Sequence, residues 1–280
     1  PVLFSLIALV ISSLAITWTD QVGLICFWRI VQGLGTSFIV VAKRAYFVDV
    51  YDEEKRKHFL SYFTIVWSCG PIIAPFLGGY LESLFNWQAN FYFLAIYAGI
   101  LFFAELFFSG ETIRNLKRFN LKKTSMLYAV MLKNKAFVLG ILILGLAYST
   151  VMVFNIAGPF VVEHHFGFNA VTTGYCTLIL GISWMIGGIL SKTFSNYNFP
   201  KKLRISTFIQ VVLLILFVIV AMQLDQLYLL VGFAFIIHIV SGFIFTNYFT
   251  QNMIYFPSNA GIAGGLIGGL LYIITSISSF

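Results

Sequence analysis

Long apolar stretches alternate with short polar or charged ones along the whole chain, and this alternation predicts nine membrane-spanning helices. The apolar runs cover about 2–18, 22–42, 59–80, 89–108, 137–158, 170–190, 205–223, 227–249 and 260–280. Each approaches the ~20 residues that a helix needs to cross a hydrocarbon core. None shows the strict apolar-polar alternation of a barrel strand. Between them lie Thr19-Asp20-Gln21, Asp49 to His58, Glu82 to Asn86, Ser109 to Lys135, Glu163 to Asn169 and Ser195 to Arg204, all rich in turn formers or charge. The expected fold class is all-α, a polytopic membrane protein.

Composition sharpens this picture. Of 280 residues, 60% are hydrophobic and only 10% are charged, against about a quarter charged in a soluble domain. The net charge of +7 suggests a nucleic-acid partner until the positions are considered. Lys43, Arg44, Lys55, Arg56 and Lys57 lie in the second connection, and Arg114, Lys117, Arg118, Lys122, Lys123, Lys133 and Lys135 in the fourth. Lys192, Lys201, Lys202 and Arg204 lie in the sixth, so all but one of the 17 basic residues fall on one side of the membrane. Basic residues mark cytoplasmic loops, so the charge reports topology, with some attraction to anionic headgroups. No nucleic-acid role is expected.

The first span then runs outward from the cytoplasmic face. The longest and most basic connection, 109–136, divides a four-span bundle at 1–108 from a five-span bundle at 137–280. It is read either as a surface-lying amphipathic helix or as a solvated linker. Cys26, Cys69 and Cys176 sit within apolar runs, without metal-type spacing, and read as small hydrophobes. Both termini fall in apolar runs, so the chain is expected to be an excerpt lacking helices at each end.

The remaining basic residue is Arg29, about seven positions into the second span and roughly 10 Å below its outer end. A charge at the centre of a membrane helix costs at least ~2.5 kcal/mol on insertion scales. It either snorkels to the headgroups or faces a polar pathway. Arg29, Gln32 and Gly33 are spaced i, i+3, i+4 and so are expected on one helix face, with Gly35 just beyond. That stripe suits a bundle interior, where glycine admits a neighbouring backbone and the guanidinium meets a counter-charge.

The segment Leu24 to Gly35, with Arg29-x-x-Gln32-Gly33-x-Gly35, resembles the fourth-helix motif of the major facilitator superfamily. Arg44-Ala45-x-x-x-Asp49 followed by Glu53-Glu54 resembles the cytoplasmic exit of that helix. Gly70-Pro71, Pro75 and Gly78-Gly79 are similar to the fifth-helix signature of drug:proton antiporters, and Gly158-Pro159-Phe160 and Ala260-Gly261 fit the same group. The subgroup it resembles is the bicyclomycin-resistance/chloramphenicol-type (Bcr/CflA) bacterial efflux proteins. This resemblance implies an incomplete major-facilitator-type helical bundle, with nine spans equivalent to family helices three to eleven. It also implies a monomeric multi-pass protein of the bacterial inner membrane, moving a small-molecule substrate and protons, with no cofactor beyond the proton gradient. In such antiporters a carboxylate in the first helix carries the proton, so Arg29 is cast as the cation that tunes it.

Gly70, Pro71 and Pro75 are expected to bend the third span at a gate. Gly261, Gly265 and Gly269, with Gly264 and Gly268, form a small-residue stripe suited to close helix packing or sliding. Trp67, Tyr148, Asn155, Tyr175 and Asn247, with Gln251, are candidates for the substrate cavity, as aromatic and hydrogen-bonding groups inside spans. His238 lies mid-span, either as a proton carrier or as a hydrogen-bonded structural histidine, and Glu105 is expected to snorkel. No clustered nucleophile, base and ligand set supports an enzyme. The functional expectation is proton-coupled efflux, or else import of a metabolite on the same fold.

Overall fold

The computed structural model describes residues 2–50, 70, 73–110, 121–256 and 259–279. Among these residues the chain is helical throughout, with no strand. In chain order the helices are α1 (Val2–Thr17), α2 (Val22–Val50), α3 (73–84), α4 (Gln88–Phe108) and α5 (Leu121–Lys133). Then follow α6 (Lys135–Phe160), α7 (Ala170–Thr193), α8 (Phe199–Gln223), α9 (Leu227–Tyr255) and α10 (Ala260–Ser278). A π-helical turn, Val161–His165, extends α6 just after Gly158-Pro159, where proline removes a backbone donor.

Seven of these helices are long and apolar enough to span a membrane among the described residues. Of the other two expected spans, the first is α1, an apolar helix of 16 residues, short of the ~20 a span needs. The third expected span, 59–80, lies largely outside the described residues. Helices outrun the apolar windows that announced them: α2 continues to Val50, α8 begins at Phe199 and α9 continues to Tyr255. Lys43, Arg44, Asp49, Lys201, Lys202 and Arg204 are therefore helical, not in loops. The apolar window ends with the hydrocarbon, whereas backbone hydrogen bonding continues through the headgroup zone.

Helix starts follow local chemistry. The side chains of Asn134, Asn169 and Asn198 accept the backbone N–H groups of Phe137, Thr172 and Lys201 at 3.1, 2.9 and 3.1 Å. Such caps satisfy otherwise orphaned donors and stabilise a helix by about 1 kcal/mol each. The segment expected as the basic central loop contains α5, whose Met131 is buried with Phe137 and Ile267.

The chain divides into two compact units, residues 1–70 with 77–117, and residues 71–76 with 118–280. In the first, α1 packs on both α2 and α4. Small side chains mark the α1–α2 seam: Ser5 and Ser13 are buried, and a Cβ on Gly35 would lie 3.3 Å from the Ser5 carbonyl. Small residues of this kind let membrane helices approach closely. At the opposite end from Arg29, Lys43 of α2 forms an ion pair with Glu105 of α4, and Ser109 Oγ donates to Glu105 at 2.9 Å. Glu105 is therefore paired across helices rather than snorkelling.

In the second unit α9 is central and packs against α6, α7 and α8, while α10 and α5 lie on α6. The α7–α9 crossing is very close. A Cβ on Gly187 would lie 2.1 Å from the Ile239 carbonyl, and one on Gly242 would lie 2.5 Å from that of Trp184. The α10 glycine stripe does not line the core of this unit. Ala263, Ile267 and Leu271 face the core, whereas Gly261, Gly265 and Gly269 are exposed. In α10 the core is filled by larger side chains one helical face away.

Candidate functional site

Two constellations carry polar or aromatic chemistry, one in each unit. In the first, Arg29 Nη1 donates to Gln32 Oε1 at 3.1 Å, and Gln32 Nε2 donates to Ser13 Oγ at 2.9 Å. The guanidinium carbon also lies 5.9 Å from the ring centroid of Phe91 on α4, at the outer limit of cation–π attraction. Arg29 is thus held to α2, α1 and α4 together. The amide of Gln32 is the pivot: buried, it uses its oxygen for Arg29 and its nitrogen for Ser13.

The expected single stripe is resolved into two faces. Gln32 and Gly35 are buried against α1, whereas Arg29 and Gly33 are exposed. One residue of helix turns about 100°, so Gln32 and Gly33 cannot both face α1. Gly35 therefore supplies the close approach that the sequence pattern assigned equally to Gly33. A Cβ on Gly33 would meet nothing within 4 Å. Among the described residues no carboxylate pairs with Arg29; its polar partner is Gln32.

The other sequence-level candidates are more scattered. Gly70 is helical and exposed, Pro75 is partly buried in α3, and Gly79 is buried. A Cβ on Gly78 would lie 3.2 Å from Asn90 Oδ1 on α4. Pro71 and Trp67 lie outside the described residues. Arg44 and Asp49 are on the helical backbone of α2.

In the second unit Tyr148 is the member of the expected cavity set that joins a cluster. Its ring centroid lies 6.0 Å from Trp184 of α7, 5.7 Å from Phe245 of α9 and 6.4 Å from Tyr272 of α10. Trp184 and Phe245 are 5.1 Å apart, and Phe249 stacks on Phe245 at 5.9 Å. Four helices thus contribute to one aromatic patch. Aromatic pairs at these separations gain about 0.5–1.5 kcal/mol beyond area burial. Tyr148, Trp184 and Phe245 are half-buried, and Tyr272 is 62% exposed. The patch therefore presents both π faces and phenolic hydroxyls, the chemistry that holds a flat, partly apolar or cationic compound.

Asn155 and Asn247 are occupied locally: their amides donate to the carbonyls of Val151 and Phe243 on their own helices, at 3.0 and 2.8 Å. Tyr175 is exposed on α7 and Gln251 partly buried on α9. Trp184, Phe245 and Tyr272 are members that sequence reasoning missed. The available signal was Gly187 and Gly242, whose close crossing fixes which faces of α7 and α9 turn toward Tyr148.

The sequence profile described as Major Facilitator Superfamily matches residues 1–279. A bicyclomycin resistance protein homolog of Haemophilus influenzae is 26% identical, over 99% of this chain and 70% of that protein. The uncharacterized MFS-type transporter YdgK of Bacillus subtilis is 24% identical, over 100% of this chain and 71% of its own length. Multidrug resistance protein MdtL of Salmonella dublin is 28% identical, over 58% of this chain and 41% of that protein. Two crystal structures of a bacterial homolog of the human lysosomal transporter Spinster, inward-facing and either unoccupied or occupied, superpose with TM-scores of 0.67 and 0.72. They are 15% and 14% identical and show the fold alone; this chain covers 65% and 64% of them. The chain thus spans just under two thirds of those structures and about seven tenths of the first two curated relatives.

Proposed function

Because the chain belongs to the Major Facilitator Superfamily, a family of membrane transporters and not of enzymes, we propose that it expels drugs or other amphipathic small molecules in exchange for protons. The observation that carries this reading is the aromatic patch of Tyr148, Trp184, Phe245 and Tyr272, drawn from four helices. A metabolite importer selecting a polar solute needs several fixed hydrogen-bond donors and acceptors. Here aromatic faces dominate, with Tyr148 and Tyr272 supplying two hydroxyls. The bicyclomycin-resistance and multidrug-resistance relatives support the same direction.

In this reading the protein works by alternating access and comprises two bundles, 1–108 and 137–280, joined by the basic cytoplasmic segment 109–136. Arg29, Gln32, Gly33 and Gly35 form the proton-coupling element, and the tether to Ser13 and Phe91 keeps the cation at a fixed depth. Gly70, Pro71, Pro75, Gly78 and Gly79 form the gate. Arg44 and Asp49 mark the cytoplasmic end. The protein acts as a monomer in a bacterial inner membrane, in contact with lipid, and the proton gradient supplies the energy without a cofactor.

The test uses the full-length protein in inverted vesicles energised by a proton gradient. Accumulation of a lipophilic cationic dye should collapse on adding an uncoupler and should be lost in Arg29→Ala. Undiminished transport by Arg29→Ala would rule out its coupling role. Uncoupler-sensitive uptake in intact cells, in place of expulsion, would reverse the assigned direction and favour an importer.

A further inference from the structure

His238 lies 11 positions into α9, about 17 Å along the helix at 1.5 Å per residue, near the middle of a bilayer. It is only 2% exposed. Its Nδ1 is 2.7 Å from the Ala234 carbonyl. A carbonyl oxygen only accepts, so Nδ1 carries the hydrogen and Nε2 keeps a bare lone pair. That Nε2 is buried with no partner. The ring meets Phe154 of α6 edge-on at 6.2 Å.

One turn further along α9, Ser241 is fully buried and 2.8 Å from Thr150 of α6. Thr150 Oγ1 is also 2.8 Å from the Ala147 carbonyl and donates to it. Its single proton being used there, Ser241 must donate to Thr150. Gln210 of α8 in turn donates from Nε2 to Ser241 at 2.8 Å. Gln210 Nε2 also donates to Thr150 Oγ1 at 3.4 Å, so each donor in this row is spent, in one direction. What remains are two buried acceptors without hydrogens, Gln210 Oε1 and His238 Nε2. Phe154 and Thr150 are four residues apart on α6, and His238 and Ser241 three apart on α9, so both rungs belong to one seam between these helices.

A buried acceptor left open is costly, about 1–3 kcal/mol, and natural structures rarely keep one without a purpose. Both atoms are acceptors, and each takes a hydrogen. We propose that His238 Nε2 is a proton-binding site inside the C-terminal bundle, loaded when water enters the α6–α9 seam. Hydronium gives its proton to Nε2 and leaves as water; drying of the seam returns the proton to water. Among the described residues no charged or titratable side chain of α6, α7, α8 or α10 hydrogen-bonds or pairs with His238; Phe154 is the side chain that faces it. An imidazolium in the dry seam has no counter-ion, and burying an unpaired charge is strongly unfavourable. Proton binding therefore favours the wet, open seam and deprotonation the closed one. For its part in transport, this inference rests on the proton-coupled reading above; proton binding itself does not.

The experiment is nitrogen-15 NMR of histidine-labelled full-length protein in liposomes, with the His238 signal assigned by its loss in His238→Gln. At about pH 8 the bare-Nε2 neutral form is expected; at about pH 5 imidazolium is expected only in the state whose seam is open to water, because the dry seam disfavours the charge. The measurement is made with and without tetraphenylphosphonium as the probe substrate. A neutral signal that persists to pH 5 in both states overturns the proposal. In parallel, probe-driven proton release is followed with an enclosed pH dye. Proton flux without an imidazolium sinks the His238 site alone, whereas an imidazolium without flux keeps the site and sinks proton-coupled export. Where both occur, His238→Gln should slow gradient-driven transport at least tenfold while leaving probe counterflow, which needs no net proton movement, within about twofold. Equal loss of both rates assigns His238 a structural role and overturns its part in coupling.

Discussion

Gly187 and Ile239 hold α7 and α9 together at a distance that admits no side chain: a Cβ on the glycine would fall 2.1 Å from the isoleucine carbonyl. The obstacle is backbone, which cannot rotate aside, so Gly187→Ala must push the helices apart. Overpacking of this kind costs about 1–3 kcal/mol, and here the displaced crossing also carries Trp184 and Phe245. Gly188→Ala is the control, because its Cβ would meet Thr246 Oγ1 at an ordinary 3.6 Å. Thermal melting of the full-length protein in detergent should show a clear loss for Gly187→Ala and little for Gly188→Ala. Equal melting temperatures for the two would refute the close crossing.

The ion pair of Lys43 and Glu105 should show charge-reversal rescue. Their side chains are 30% and 17% exposed, between a surface pair, with a median below ~1 kcal/mol, and a fully buried one, where breaking costs about 3–5 kcal/mol. Lys43→Glu places two carboxylates together and is expected to lower stability by about 2 kcal/mol. Lys43→Glu with Glu105→Lys should recover most of it, and a double-mutant cycle measures the coupling. Strict additivity would show that the pair contributes nothing.

This pair also explains what could be read from the sequence. The placement of lysine and arginine predicts which connections share a side of the membrane. The structure agrees through contacts the charge count did not use: Lys43 meets Glu105 where both helices run to the basic side. His165 meets Asp225 at 2.7 Å between two connections assigned to the other side. Helix ends were less legible, since hydropathy reports the hydrocarbon and not the hydrogen-bond ladder; α2 thus runs on through Lys43 to Val50. Least legible was which residues of a uniformly apolar helix face one another. With hydrophobic side chains on every face, periodicity gives no preferred side. Tyr148 was recognisable as a polar aromatic within a span, but its companions Trp184 and Phe245 were fixed only by the glycine crossing of α7 and α9, and Tyr272 by the packing of α10 on α6. His238 and Gln210 are separated by 28 positions on different helices, and only folding brings Ser241 of one to the amide of the other.

The aromatic patch predicts a graded response to truncation. Trp184 touches both Tyr148 and Phe245, at 6.0 and 5.1 Å, so Trp184→Ala removes a wall of the site and one partner from each neighbour. Binding of a lipophilic cation should weaken about tenfold, corresponding to ~1.4 kcal/mol, whereas Trp184→Phe should lose less than half of that energy. Tyr272→Phe, at an exposed position, tests the hydroxyl alone. Equilibrium binding to the purified full-length protein checks each value. Unchanged affinity in Trp184→Ala would place the substrate elsewhere.

Gln32 is the residue through which Arg29 is tied to α1, and its two hydrogen bonds can be cut separately. Gln32→Leu removes both, freeing the guanidinium and leaving the Ser13 hydroxyl without its amide. Interhelical hydrogen bonds in membranes contribute only about 0.6 kcal/mol on average, so melting should fall slightly. Transport should fall much further, by tenfold or more, because a long arginine no longer held at one depth can snorkel toward the headgroups. Gln32→Glu keeps an acceptor for Arg29 while losing the donor to Ser13, and Ser13→Ala loses the same link from the other side. Both are expected to retain most transport. If Ser13→Ala and Gln32→Glu instead abolish efflux as fully as Gln32→Leu does, the α1–α2 bond and not the placement of Arg29 is what transport requires.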